Sequence, residues 1–303
     1  MKKYRKLLLK VVVSLALFTI IFRNVSYESL ADSFHKMDPI FLPVIFLLIV
    51  ANYVVGAFRW KSFLIHENTG HVTVPYLINL YFIGAFFNNF MPTSVGGDVF
   101  KVYKLGKKIG NTTDAFTATF MERFTGVVAL VLVSAIALIY LLKAWGILVF
   151  AVFWLGMVVA FYALKFFAGK FEKINKIYRS FLMYKGNNKV LVIAFITSFV
   201  IQFIAIFTQY AVFSALGFNL PLLYSMFIIP VITLASFFIP SLNGVGVQDA
   251  LYILFFGEAA YIGLFGGVGV GTEVALSASI IYHLSRLFVS LIGGVLYSLG
   301  KAD

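Results

Sequence analysis

Two short segments hold the residue types that could do chemistry. From Phe86 to Lys104 the chain reads FFNNFMPTSVGGDVFKVYK, and from Phe238 to Leu251 it reads FIPSLNGVGVQDAL. In both, an apolar run breaks at a proline, a hydroxyl residue follows, and a glycine stands four positions after the proline: Pro92, Thr93 and Gly96, then Pro240, Ser241 and Gly244. A carboxylate, Asp98 or Asp249, then opens a new apolar stretch, just after Gly97 in the first segment and three residues after Gly246 in the second. Proline stops a helix and glycine lets the backbone turn, so each segment reads as a helix that breaks and resumes. A helix restarting in apolar surroundings offers free N–H groups and the positive end of its dipole, and Thr93, Ser94 and Ser241 add hydroxyl donors. That chemistry suits an anion. Arg123 and Arg286, inside later apolar helices, supply fixed charge of the kind that binds phosphate bidentately. Asp98 and Asp249 are placed to hold those arginines when no ligand is present.

The surroundings follow from composition. The 303 residues are 61% hydrophobic and 12% charged, where a soluble domain carries about a quarter charged residues. This is the composition of a polytopic membrane protein, and 35 phenylalanines with 16 tyrosines suit lipid-facing helices and interfacial anchors. Cysteine is absent, which excludes disulfides, thiolate nucleophiles and thiolate metal sites. A lone charge at the bilayer centre costs at least ~2.5 to 3.5 kcal/mol, so four such residues require a function or partners.

The elements that position them can be read in order. Leu7 to Phe22 is a first span behind a basic start, without the small-residue cleavage site of a signal peptide. Asn24 to Asp38 lies along the surface. Pro39 to Phe58 is a second span closed by Arg59, Trp60 and Lys61 as an interfacial anchor. Residues 72–108 form a re-entrant hairpin, because the returning arm, about ten residues or roughly 15 Å, is too short to cross a ~30 Å core. Ala115 to Leu142, Ile147 to Lys165, Val190 to Leu216 and Glu273 to Leu299 are further spans, and residues 223–256 form a second hairpin. The expected fold is all-α, with about six transmembrane helices and two re-entrant broken-helix hairpins. Residues 1–145 and 146–303 make up its two repeats.

Charge placement supports this topology. With the N-terminus inside, the cytoplasmic segments hold 19 of the 24 Lys and Arg, in line with the positive-inside rule. The net charge of +12 is therefore topology and not a nucleic-acid surface. Both termini are placed in the cytoplasm, in the cell membrane. Three spans per half invert the second half relative to the first, which is how many transporters build a midplane site. Arg123 follows Pro92 by 31 residues and Arg286 follows Pro240 by 46; the difference, 15, is the length of the link Gly257 to Gly271.

Plainer readings exist for several of these residues. Asp98 also fits a helix cap, and the prolines fit simple kinks. Arg123, eight residues into its helix, also fits snorkelling to the interface. Glu122 points to another face and suits a local lysine partner, while Asn88 and Asn89 suit the unpaired backbone of the break. The four histidines, His35, His66, His71 and His283, make no metal-ligand spacing. No nucleotide-binding or nucleophile motif is present, so no cofactor, metal or catalytic residue is assigned.

FFNNFMPTSVGGDVFKVYKL, MERFTGVVAL, IPSLNGVGVQDAL and YHLSRLFVSLIGG together resemble the flippase-like membrane region of the lysylphosphatidylglycerol synthases and their stand-alone relatives. The second motif departs from the family pattern, with Asn243 at a usual glycine and Gln248-Asp249 replacing Arg-Glu. The resemblance implies translocation of a polar lipid between leaflets, and it adds Tyr282 to the candidate site beside Arg286. It also implies that the chain, which ends at Asp303 without the aminoacyl-transferase domain, does not synthesise such a lipid.

The expected function is thus a transporter of a polar or anionic lipid, of phospholipid, glycolipid or polyprenyl-phosphate type. The substrate-binding residues expected are Asn89, Pro92, Thr93, Ser94, Gly96, Gly97, Asp98, Arg123, Pro240, Ser241, Gly244, Gly246, Asp249, Tyr282 and Arg286. The partners expected are membrane lipids and a lipid-synthesis or glycosyltransferase protein. Two alternatives stand beside it: a membrane enzyme or accessory subunit acting on a lipid-linked phosphate or sugar, and an ion-coupled transporter of a small anion.

Overall fold

Long apolar runs interrupted by basic clusters leave the backbone one economical solution in lipid, which is to satisfy its hydrogen bonds within helices. The computed structural model describes residues 27–66, 69–90, 96–239, 244–257 and 269–302, and their regular structure is helical throughout. Five of the described helices are long and apolar enough to cross a membrane. The expected first span, Leu7 to Phe22, lies outside the described residues.

A short helix, α1 (Tyr27–His35), is followed by a 3-10 turn in which the Ile40 N–H donates to Asp38 Oδ1 at 2.9 Å. Then come α2 (Leu42–Ser62), α3 (Val74–Phe90), α4 (Gly96–Ile109) and α5 (Thr112–Leu142). The second half holds α6 (Ala144–Ala168), α7 (Glu172–Met183), α8 (Asn188–Ala215), α9 (Leu222–Phe238), α10 (Val247–Phe256) and α11 (Thr272–Ser298). Both expected breaks fall between helices, after Phe90 and after Phe238. At the first, α4 has 14 residues, and at the second, α10 has 10. At 1.5 Å per residue these are about 21 and 15 Å long, short of a ~30 Å core.

Hydrogen bonds tie the helix ends into two groups. At one end of the bundle, Lys61 Nζ donates to the Val72 carbonyl at 2.7 Å, Tyr76 hydroxyl to those of Lys104 and Ala302 at 3.4 Å, and Tyr184 hydroxyl to that of Phe63 at 2.7 Å. The start of α3 and the end of α4 therefore lie together, among the basic residues. At the other end the Asp38 N–H donates to the Ala215 carbonyl at 2.7 Å, and Tyr224, in the first turn of α9, donates to the carbonyl of Phe255 near the end of α10.

The central packing pairs α2 with α8, α3 with α11 and α5 with α9. Around these, α4 lies on α5 and α10 on α11, while α3 lies on α4 and α9 on α10. Two glycines set the closest approaches. A Cβ on Gly97 would stand 1.9 Å from the Gly84 carbonyl oxygen across the α3–α4 hairpin, and one on Gly293 would stand 2.0 Å from that of Phe82 across α3–α11. In contrast α6 packs on α5 and α7, and its most apolar window has no buried residue. The expected basic loop from Lys165 to Lys189 contains α7, whose apolar side carries Phe181 against Phe120 and Phe124 of α5.

Candidate functional site

The first break exposes the backbone of α4 at its start, and the sequence supplies a partner: the Gly97 N–H donates to Asn88 Oδ1 at 2.8 Å. Asn88 thus does what was expected of it. Three residues into α4, Asp98 points across to α5 and forms an ion pair with Arg123. Lys101, one turn further and on the same side of α4, lies 3.9 Å from Asp98 Oδ1 and 3.2 Å from Glu122 Oε2.

Glu122 is the hub of a buried cluster. Its Oε1 accepts from Arg59 Nη2 at 2.8 Å and from the Tyr81 hydroxyl. Arg59 also donates to Ser198 Oγ on α8 at 2.9 Å. The Lys101 ammonium sits over the rings of Trp60 and Tyr81, 4.4 and 3.9 Å from their centroids, so two aromatic faces share its desolvation. Arg59 and Trp60 are buried, which corrects their assignment as an interfacial anchor: α2 continues past the expected end to Ser62, and its last turn packs inward. Lys101 likewise belongs to this cluster and not to the exposed basic loop.

These groups surround a cavity of about 280 Å³. Asn88, Asn89 and Asp98 line it from the first hairpin, Arg123 from α5, Tyr53 from α2, Gln202 from α8 and Arg286 from α11. Lys101, Arg59, Glu122 and Tyr81 also line it. Four cations face two carboxylates, which leaves a formal surplus of two positive charges. Arg59 Nε is also buried without a hydrogen-bond partner among the described residues. Of the four cations, Arg59 and Lys101 are buried and share the one carboxylate of Glu122, and positive charge withdrawn from water in this way is costly unless an anion completes it.

Of the residues expected from sequence, Asn89, Asp98, Arg123 and Arg286 meet at this cavity. Gly96 begins α4, and Gly97 packs against Gly84. Pro92, Thr93, Ser94, Pro240 and Ser241 fall outside the described residues. The second break is organised differently from the first. Gly244 and Gly246 have φ of 90° and 82°, conformations that favour glycine, and the Gly246 N–H donates to Asp249 Oδ2 at 2.8 Å. Asp249 therefore caps α10, the role weighed above for Asp98. It also accepts from Ser279 at 2.5 Å and lies 3.5 Å from His283 Nε2.

Asp249 is therefore engaged away from Arg286. Arg286 is flanked by Tyr53 and lies 5.5 Å from the centroid of the Tyr282 ring, with no carboxylate partner among the described residues. Sequence reasoning missed Arg59, Lys101, Glu122, Tyr53, Tyr81 and Gln202 as wall residues. Lys101 was reachable, since it follows Asp98 by three on a short helix. The others needed the packing of α2 and α8 on the hairpin.

A family model described as the lysylphosphatidylglycerol synthase TM region matches residues 7–294. No curated protein and no solved structure gave a match.

Proposed function

Because the chain belongs to the family of the lysylphosphatidylglycerol synthase TM region, a multi-pass membrane family with a lipid-related role, we propose that it moves an anionic lipid between leaflets. The observation that carries this reading is the surplus of two positive charges around the 280 Å³ cavity. A lipid phosphate would neutralise it while its hydrocarbon chains stay in the membrane. Arg286 and Arg123 act as bidentate phosphate ligands, and Asp98 holds Arg123 between turnovers.

A two-fold pattern in the helix packing supports reading the two halves as an inverted repeat, and with it this mechanism. Exchanging α2 with α8, α3 with α9, α4 with α10 and α5 with α11 turns the α3–α11 packing into α9–α5. It turns α4–α5 into α10–α11, and returns α2–α8 to itself. The first hairpin then re-enters from the basic, cytoplasmic side and lines the cavity, and the second re-enters from outside. The protein works in the cell membrane with both termini inside, on a lipid delivered or consumed by a lipid-synthesis or glycosyltransferase partner, without a catalytic step of its own.

Leaflet exchange of headgroup-labelled phosphatidylglycerol in proteoliposomes, read with a membrane-impermeant quencher, tests this. The purified chain accelerates exchange and Arg286→Ala abolishes at least nine-tenths of the acceleration. Full acceleration in a folded Arg286→Ala variant would remove the cavity from the mechanism.

A further inference from the structure

The polar cavity has an apolar neighbour. Between α4 and α5, on the side away from the bundle, lies a groove of about 420 Å³. Its walls are Val99, Val102 and Tyr103 from α4 and Phe116 and Phe120 from α5, with Thr112 and Thr119 between them. The Thr119 hydroxyl is turned back onto the Ala115 carbonyl at 2.8 Å, so that wall presents carbon. Val99 and Tyr103 are 64% and 61% exposed, which leaves the groove open on its outer side. From Thr112 to Arg123 it follows α5 for roughly 16 Å at 1.5 Å per residue.

Asp98 and Arg123 line both the groove and the cavity. Their ion pair joins α4 to α5 at the boundary between the two spaces, and the Arg123 side chain is 45% exposed there. An opening whose outer half is hydrocarbon and whose inner half carries a surplus of positive charge is complementary to one kind of molecule, an amphiphile with a chain and an anionic phosphate. A free anion would have no use for the outer half.

Resting on the transport reading above, we propose that the α4–α5 groove is the lateral entry for the lipid, with the Asp98–Arg123 pair as its gate. One hydrocarbon chain of an anionic phospholipid lies along Val99, Tyr103, Phe116 and Phe120. Its phosphate displaces the Asp98 carboxylate from Arg123 and passes inward toward Lys101 and Arg286. No bond is made or broken; one ion pair is exchanged for another.

The chain contains no cysteine, so a single introduced thiol can be labelled without background. The test uses the full chain with Val99→Cys carrying a thiol-linked benzophenone. It is reconstituted in vesicles of equal phosphatidylglycerol and phosphatidylcholine, irradiated, and the adducts are weighed. Leu155→Cys, on the lipid-facing side of α6, reports the bulk membrane. At position 99 phosphatidylglycerol adducts exceed phosphatidylcholine adducts at least threefold, at position 155 the two are equal, and Arg123→Gln brings position 99 to the position 155 ratio. Equal adducts at both positions would overturn the groove, as would an enrichment that survives Arg123→Gln.

Leaflet exchange measured on the same vesicles separates the two ideas. Enrichment without exchange keeps the groove and removes transport; exchange without enrichment keeps transport and removes this entry.

Discussion

Arg59 and Glu122 are 63 residues apart in the chain and 2.8 Å apart in space, both buried. Glu122 also carries Lys101, so one carboxylate holds two cations taken from different helices. Removing one partner of a buried pair costs about 3 to 5 kcal/mol, because the remaining charge stays buried. Glu122→Gln therefore lowers the unfolding temperature of the detergent-solubilised protein more than any single change on α6. Arg59→Met in the Glu122→Gln background costs less than in the wild type, since it removes a cation already left unpaired. Additive losses would show that the two are not coupled.

Arg286 should not tolerate lysine. Its planar fork can take two phosphate oxygens, whereas an ammonium offers a point charge. Arg286→Lys preserves folding but loses at least tenfold in leaflet exchange, while the charge in the cavity is unchanged. Wild-type exchange in this variant would mean that charge alone is read.

The hairpin has no room at Gly97. A methyl group there meets a backbone oxygen of Gly84, and neither side can yield without parting α3 from α4. Overpacking of this kind costs typically 1 to 3 kcal/mol. Gly97→Ala and Gly293→Ala both reduce the yield of folded protein, whereas Gly156→Ala on α6, with nothing within 4 Å of its Cβ, does not.

Tyr184 ties the turn before α8 to the end of α2 through the Phe63 carbonyl. Burial first, and the nearby Asp114 charge second, raise its phenol above the ordinary value of 10.0. The folded state binds the proton more tightly than the unfolded state, so the stabilisation is complete below pH 10 and declines as the pH rises toward the folded value. Tyr184→Phe costs about 1 kcal/mol at neutral pH. Thermal unfolding of the two proteins between pH 7 and 11 checks the sign: the gap holds to pH 9 and narrows above 10.

The helices of this fold were legible because lipid imposes a simple code. Apolar runs of sufficient length gave α2, α5, α6, α8 and α11 to within a few residues. The proline and glycine pattern gave the interval between α3 and α4 and that between α9 and α10. At the site, Asp98, Arg123 and Arg286 stood out because each is a charge in an apolar stretch. Arg59 did not, because a charge at the end of a span looks the same whether its last turn meets water or a partner helix. Glu122 was legible as the partner of a lysine, which Lys101 is, but its links to Arg59 and Tyr81 depend on other helices. The pairing of Asp249 with Arg286 followed from analogy between the breaks. It failed because Gly246 places a free N–H where Asp249 reaches it first, and Ser279 donates to the remaining oxygen.

The charged wall of the cavity is lopsided in origin: among the described residues, Arg59, Asp98, Lys101, Glu122 and Arg123 come from the first half of the chain and Arg286 from the second. A carrier built from two equivalent halves would idle equally well facing either side of its membrane. Here the first half satisfies Arg123 internally through Asp98, and no described carboxylate offers Arg286 the same latch. On the transport proposed above, its resting posture is therefore biased: the second half's arginine is ready for a phosphate, and the first half's must first be released by one.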